Sequence, residues 1–239
     1  MQQPLRVRGG LPEGDLGPLH RRDEPRLHPL LSGPREIEAR LEAPAFADLE
    51  RAPGLLAAVG CWLGEEERLF LADHYLDTAD LLLRRAGWTL RLRDLGTRRL
   101  LTLKACRPPR ADGLAEREEF EEPTEWAPVH GWRLPPAALG GRVAELTAGE
   151  PLERLFELRQ ERRLRPAGRG GLVCELSLDR VEWRHRGAAA RAALVELELR
   201  RGGPEELAAL ADELAAAAGW RPAPRSKFER GLALAGLLD

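Results

Sequence analysis

Six short stretches of the chain alternate charged and apolar residues with a period of two: Glu36-Ile-Glu38-Ala-Arg40, Thr89-Leu-Arg91-Leu-Arg93, Thr102-Leu-Lys104, Arg117-Glu-Glu119-Phe-Glu121, Glu175-Leu-Ser177-Leu-Asp179 and Glu196-Leu-Glu198-Leu-Arg200. Successive side chains of a strand point to opposite faces, so each stretch predicts a strand with one apolar and one ionic face. A sheet face turned to water tolerates Ser, Thr, Asn and Gln, but these positions are almost all Glu, Arg or Lys. Closing the sheet would turn that face into a lumen lined by carboxylates and guanidinium groups, a setting for metal ions together with a polyanion.

The rest of the pattern supplies the order of elements. Phe46 to Val59 has helical spacing with an interruption at Pro53-Gly54. Tyr75-Leu-Asp77-Thr78 reads as a short strand running into a brief helix, Ala79 to Ala86, which Gly87 stops. Trp88 to Asp94 and Arg99 to Cys106 read as a hairpin through Gly96, and residues 107–115 form a Pro/Gly loop before the Arg117 to Glu121 strand. Residues 135–158 are Pro/Gly-rich at first and helical later. Strands follow around Phe156 to Leu164, Leu172 to Trp183 and Ala192 to Arg200, and Pro204 opens an Ala/Leu helix to Ala218 that Gly219 ends. Hairpin-like spacing without regular βαβ units predicts an antiparallel sheet. The recurrence of Glu36-x-Glu38-x-Arg40 as Glu196-x-Glu198-x-Arg200 suits two pseudo-symmetric walls facing one site. Residues 1–33 hold Gln, Pro, Gly and mixed charge without periodicity and are expected to form a disordered or loosely attached extension, leaving 34–239 as one domain.

Composition narrows the classes. A chain of 239 residues with 43% hydrophobic content can bury one sizeable core. Its formal net charge of -2 argues against a general nucleic-acid binder. No run of 18 apolar residues and no basic-then-apolar N-terminal pattern occurs, so a soluble cytoplasmic protein without a membrane partner is expected. Cys61, Cys106 and Cys174 are widely spaced and odd in number, which fits reduced thiols. Among 37 Lys and Arg residues only Lys104 and Lys227 are lysine, compact point charges in a chain that otherwise uses the planar guanidinium fork. The five histidines show no metal-ligand spacing, no phosphate-cradling glycine loop of the Walker or Rossmann kind is present, and the six tryptophans do not alternate with a basic stripe.

In this order, the Glu-x-Glu-x-basic start, the Tyr75-Leu-Asp77-Thr78 segment, the Gly87-to-Arg93 and Thr102-Leu-Lys104 strands, the Arg117-x-Glu119-Phe-Glu121 strand, the Glu196-Leu-Glu198 pair and the Ser226-Lys227 ending resemble the CYTH superfamily, the triphosphate tunnel metalloenzymes, over roughly residues 35 to 236. Glu-Leu-Arg159-x-x-Arg162 and Glu175-Leu-Ser-Leu-Asp179 are most similar to its bacterial inorganic triphosphatase branch. The resemblance implies an α+β fold built on a closed eight-stranded antiparallel β-barrel, a tunnel with a charged lumen and helices packed outside. It implies hydrolysis of tripolyphosphate to pyrophosphate and phosphate with Mg2+ or Mn2+. Substrate oxygens would be held by Arg40, Arg91, Arg93, Lys104, Arg117, Arg159, Arg162 and Lys227. Metal ligands would come from Glu36, Glu38, Glu196 and Glu198, then Glu119, Glu121 and Glu175. Glu36, Glu38, Lys104 and Glu198 would carry the catalysis. The family's first motif usually ends in Lys, and here it ends in Arg40, which keeps the charge but changes its shape. The same tunnel could instead serve thiamine triphosphate or nucleoside triphosphate hydrolysis, adenylate cyclisation as in class IV cyclases, or non-catalytic polyphosphate binding. The expected partner is a small polyanion, and a homodimer is compatible with the reading.

Overall fold

A computed structural model describes residues 35–126, 134 and 138–238. The expectation of a disordered extension over 1–33 lies outside the described residues. In chain order the elements are β1 (Arg35–Ala43), a 3-10 turn (Phe46–Arg51), α1 (Ala52–Ala58), β2 (Trp62–Leu63), β3 (Glu67–Asp77), α2 (Leu82–Arg85), β4 (Trp88–Asp94), β5 (Arg99–Ala105), β6 (Ala115–Thr124), α3 (Ala138–Leu146), β7 (Glu153–Arg169), β8 (Leu172–His185), β9 (Ala188–Arg201), α4 (Pro204–Ala218), β10 (Arg221–Pro222) and α5 (Lys227–Leu234).

The strands run β1-β6-β5-β4-β3-β7-β8-β9, each antiparallel to the next, and β9 pairs back to β1, which closes an eight-stranded barrel. The two-residue strands β2 and β10 attach outside that circuit, to β7 and β1. The two Glu-x-Glu-x-Arg strands are thus direct neighbours at the closing seam, with Glu38 opposite Glu198 and Arg40 opposite Glu196. They are one continuous wall, not two walls facing each other.

Alternation then decides what each strand turns outward. Ile37, Ala39 and Leu41 of β1, Leu176 and Leu178 of β8 and Val195 and Leu197 of β9 pack against Leu56 of α1 and Leu207, Leu210 and Leu214 of α4. Leu90 and Leu92 of β4 and Leu101 and Leu103 of β5 pack against Leu83 of α2 and Leu139 and Val143 of α3. Each fully buried Leu stabilises the fold by about 1.5–3 kcal/mol, so these two layers hold the barrel wall to its helices. A third cluster has the opposite, lumen-facing parity: Tyr75, Phe156, Leu158, Val181, Trp183 and Leu194 pack against Phe228 and Leu232 of α5. Helix α5 therefore covers one end of the lumen with an apolar plug.

Pro53 does not interrupt its helix; it sits in the first turn of α1, where its missing N–H costs nothing. Strand β3 begins at Glu67, eight residues before the predicted Tyr75. Helix α5 follows Ser226, whose hydroxyl accepts from the Glu229 N–H while the Glu229 carboxylate accepts from the Ser226 N–H.

Candidate active site in the barrel lumen

The ionic face of every barrel strand named from the alternation points inward, and its charges are paired in a connected network. On the β3-β4-β5-β6 wall, the fully buried Asp73 accepts two 2.8 Å bonds from Arg93, one from Nε and one from Nη2. Arg91 lies 3.7 Å from Asp73, 3.5 Å from Glu119 and 3.9 Å from Glu121, and donates to the Thr102 hydroxyl at 3.1 Å. Thr102 in turn donates to Glu121 at 3.2 Å. Lys104 contacts Glu36 and lies 3.4 Å from Glu119.

On the β7-β8-β9 wall, Arg162 donates two bonds to Asp179, at 2.8 and 2.7 Å, and a third to Glu196 at 2.7 Å. Lys227, the first residue of α5, reaches the same two carboxylates at 2.7 and 2.9 Å. Its position is fixed by the Trp183 indole, which donates to the Lys227 carbonyl at 2.8 Å, and by the close approach of Gly231 to the Phe156 ring. At the seam, Glu38 pairs with Arg117 and lies 3.7 Å from Arg40.

The electrostatics divide the lumen in two. Burial would raise the Asp73 carboxyl, but Arg93 and Arg91 overcome it and hold it at about 2. The same contest leaves Glu119 at about 2, through Lys104 and Arg91, and Glu196 far below the usual carboxylate range, through Lys227 and Arg162. Burial works against the Lys104 ammonium and the Arg162 guanidinium too, yet facing carboxylates raise both. The seam behaves oppositely. Glu198 is pushed up to about 8 by burial first and then by Glu36, with Glu175 and Glu38 adding and Arg200 opposing. Glu36 is pushed up to about 7 by burial and by Glu38, against Lys104. The lumen thus holds charge-satisfied cradles beside a group of seam carboxylates whose mutual repulsion Lys104, Arg117 and Arg40 offset only in part.

The structure brings Glu36, Glu38, Arg40, Arg91, Arg93, Lys104, Arg117, Glu119, Glu121, Arg162, Glu196, Glu198 and Lys227 to the lumen-facing side. Glu175 joins them at the seam, where it pairs with Arg200 at 3.0 Å. Arg159 is a correction. Its side chain is 57% exposed on the outer face and pairs with Glu157. Positions three apart on one strand point to opposite faces, so Arg159 and Arg162 cannot both line the lumen. The outer face of β3, β7 and β8 carries an ionic ladder of its own, in which Arg163 bonds Glu50 and Glu66 and Arg68 pairs with Glu161.

Sequence reasoning assigned no role to Asp73 or Asp179, which hold the guanidinium forks of the two walls. Asp179 already stood on a recognised charged face, and Asp73 lies two residues before Tyr75, on the same side of β3. Asp77 of the Tyr-Leu-Asp-Thr segment is spent locally: its carboxylate accepts from the N–H groups of Thr78, Leu83 and Arg84 and caps α2.

Among the described residues, no group of three or more His, Cys, Asp or Glu side chains forms a ready-made metal cage. No helix among them is long and apolar enough to cross a membrane.

A closed antiparallel barrel whose lumen carries Glu-x-Glu pairs beside Arg and Lys is the arrangement the sequence resemblance led us to expect. Residues 34–232 match the CYTH domain. This chain belongs to the CYTH family. No protein of curated function matches it. Among solved structures, a proposed adenylyl cyclase from Hippeastrum, described as revealing a dominant triphosphatase activity, is 20% identical with a TM-score of 0.60, over 83% of this chain and 95% of its own. A proposed adenylate cyclase from Bacillus halodurans is 17% identical with a TM-score of 0.53, over 82% of this chain and 97% of its own. At these identities the CYTH chain shares their fold.

Proposed function

We propose that this CYTH protein hydrolyses inorganic triphosphate to pyrophosphate and phosphate with a divalent cation, as in the bacterial inorganic triphosphatase branch. The observation that carries the reading is the charge balance of the lumen. The cations Arg40, Arg91, Arg93, Lys104, Arg117, Arg162 and Lys227 converge on one closed space, a density suited to a linear polyanion. Yet the carboxylates of Glu36, Glu38, Asp73, Glu119, Glu121, Glu175, Asp179, Glu196 and Glu198 outnumber them, even with Arg200 counted among the cations. A bare triphosphate would be repelled from the seam end. A pure anion binder gains nothing from such carboxylates unless cations sit between them and the ligand.

The donor set fits Mg2+ or Mn2+. It is made of oxygen, and these ions take one or two carboxylates and complete their shell with water and substrate oxygens, so a full protein cage is not required. Glu36, Glu38 and Glu198 would hold the ion, because their mutual repulsion is relieved by a positive charge. When bound, it would neutralise phosphoryl oxygens and acidify a coordinated water.

The chain's own residues do the rest. Arg91, Arg93 and Arg162 present guanidinium groups held in place by Asp73 and Asp179, so little reorganisation is needed to stabilise charge on a transferred phosphoryl group. Lys104 and Lys227 add point charges from the two walls. Glu36 and Glu198, which burial and neighbouring carboxylates make costly to ionise, hold protons in the metal-free lumen and would give them up as the cation binds. The α5 plug excludes water from one end.

The test is product identity by phosphorus NMR. Tripolyphosphate should yield one phosphate and one pyrophosphate per turnover, and Glu36→Gln or Glu198→Gln should abolish it. Turnover unchanged in both variants would overturn the site assignment, and cyclic AMP formed from ATP would move the protein to the cyclase reading.

A further inference from the structure

Among the described residues, Gln160 is a lumen-facing side chain whose amide is buried at both ends without a hydrogen-bond partner. It faces inward on β7 between Leu158 and Arg162, is 3% exposed, and neither its amide oxygen nor its amide nitrogen makes a hydrogen bond. Buried amides are almost always bonded, because each bare donor or acceptor forfeits its hydration without replacement. A residue whose only task was to fill this wall would be apolar, as are its cross-strand partners Leu71 on β3 and Val181 on β8.

Its place in the barrel says what the amide is for. On β3, two residues beyond Leu71, is Asp73, bonded to Arg93; on β8, two residues before Val181, is Asp179, bonded to Arg162 and Lys227. Gln160 therefore lies on the wall between the two buried ion-paired cradles. A phosphoryl group spanning those cradles would pass it. The cations there already have carboxylate partners, whereas the Gln160 amide has unspent hydrogen-bonding capacity.

We propose that Gln160 is a further substrate-contacting residue, its amide N–H bonding an oxygen of the phosphoryl group held between the Arg93 and Arg162 forks. The inference rests on the triphosphate reading above and adds a determinant of affinity to it. The amide nitrogen donates to the anion, and the amide oxygen is left for a water or a protonated phosphoryl oxygen.

The experiment compares wild type with Gln160→Leu and Gln160→Glu. Binding of a non-hydrolysable imido analogue of tripolyphosphate with saturating Mg2+ is measured by calorimetry, phosphate release from tripolyphosphate itself is followed in parallel, and the melting temperature without ligand is read beside them. Leu keeps the volume and removes the bare polar atoms, so Gln160→Leu should melt at or above the wild-type temperature while binding the triphosphate about tenfold more weakly. Gln160→Glu keeps an acceptor but loses the donor and adds a negative charge, so it should bind more weakly still. Leu at wild-type affinity would overturn the proposal and make Gln160 an unsatisfied core residue. Wild type that binds the analogue but releases no phosphate from tripolyphosphate would overturn the hydrolase reading alone, with the Gln160 comparison still decisive. No binding by wild type would overturn both.

Discussion

Glu38 of β1 and Glu198 of β9 are cross-strand partners at the seam that closes the barrel. Like charges directly opposite one another on a sheet are destabilising, and here Glu36 and Glu175 add to the repulsion. A fold that keeps these carboxylates together at its closing pair has built a place for positive charge.

The first prediction concerns pH. Glu198 and Glu36 titrate in the folded protein at about 8 and about 7, above the ordinary carboxylate value of 4.5. Their protonated forms therefore favour the fold. That contribution is fully present below pH 4.5 and is lost as pH rises through 7 and 8, a loss on the order of a few kcal/mol. Chelator-treated protein should show a falling melting temperature from pH 5 to 8.5. Saturating Mg2+ should flatten the fall, and Glu198→Gln should flatten it without metal.

The second concerns the cradles. Asp73→Asn leaves Arg93 and Arg91 without their buried carboxylate, and breaking a buried pair from one side costs about 3–5 kcal/mol. Urea unfolding should show a loss of that order. A loss below about 1 kcal/mol would mean that the two guanidinium groups find other partners.

Arg159 and Arg162 separate the two faces of β7. Arg159→Ala removes an exposed side chain on the outer wall and should leave turnover of tripolyphosphate within about twofold, in line with the small worth of surface ion pairs. Arg162→Ala removes a fork bonded to Asp179 and Glu196 and should lower kcat/KM at least about a hundredfold. Equal effects would contradict the assigned faces.

Much of this was legible in the chain. The hairpin of β4 and β5 and helix α4 read correctly because period-two alternation, Gly96, Pro204 and Gly219 are local signals, and Gly96 and Gly219 do adopt positive φ angles of 80° and 71°. Other features depend on contacts distant in sequence. The β1-β9 seam joins residues about 160 positions apart, so two similar motifs could not reveal that they are neighbours. Helix α5 is eight residues with a Gly in the middle, and it owes its stability to the plug it makes with Phe156 and Trp183. Asp73 sits beside His74 and four residues before Asp77 without a charge ladder of its own, and only its partner strand β4 shows what it holds. Arg159 was misplaced for a simpler reason: it entered with a motif resemblance, and on the strand predicted over Phe156 to Leu164 an interval of three already puts it on the face opposite Arg162.

Gly231 offers a test of how α5 positions Lys227. A Cβ at this position would overlap the Phe156 ring, so Gly231→Ala must push the helix away or displace the ring. Overpacking of this kind costs about 1–3 kcal/mol, and it should also lower kcat/KM by moving the Lys227 ammonium off Asp179 and Glu196. A stability loss with unchanged kinetics would show that Phe156 yields and α5 stays.

The most direct test is phosphate release from tripolyphosphate by the purified protein, with Mg2+ or Mn2+ and with a chelator control, against release from ATP under the same conditions. The account predicts fast release from tripolyphosphate that stops with chelator and clearly exceeds release from ATP. No release from tripolyphosphate with either metal, or release that persists in chelator, would contradict it.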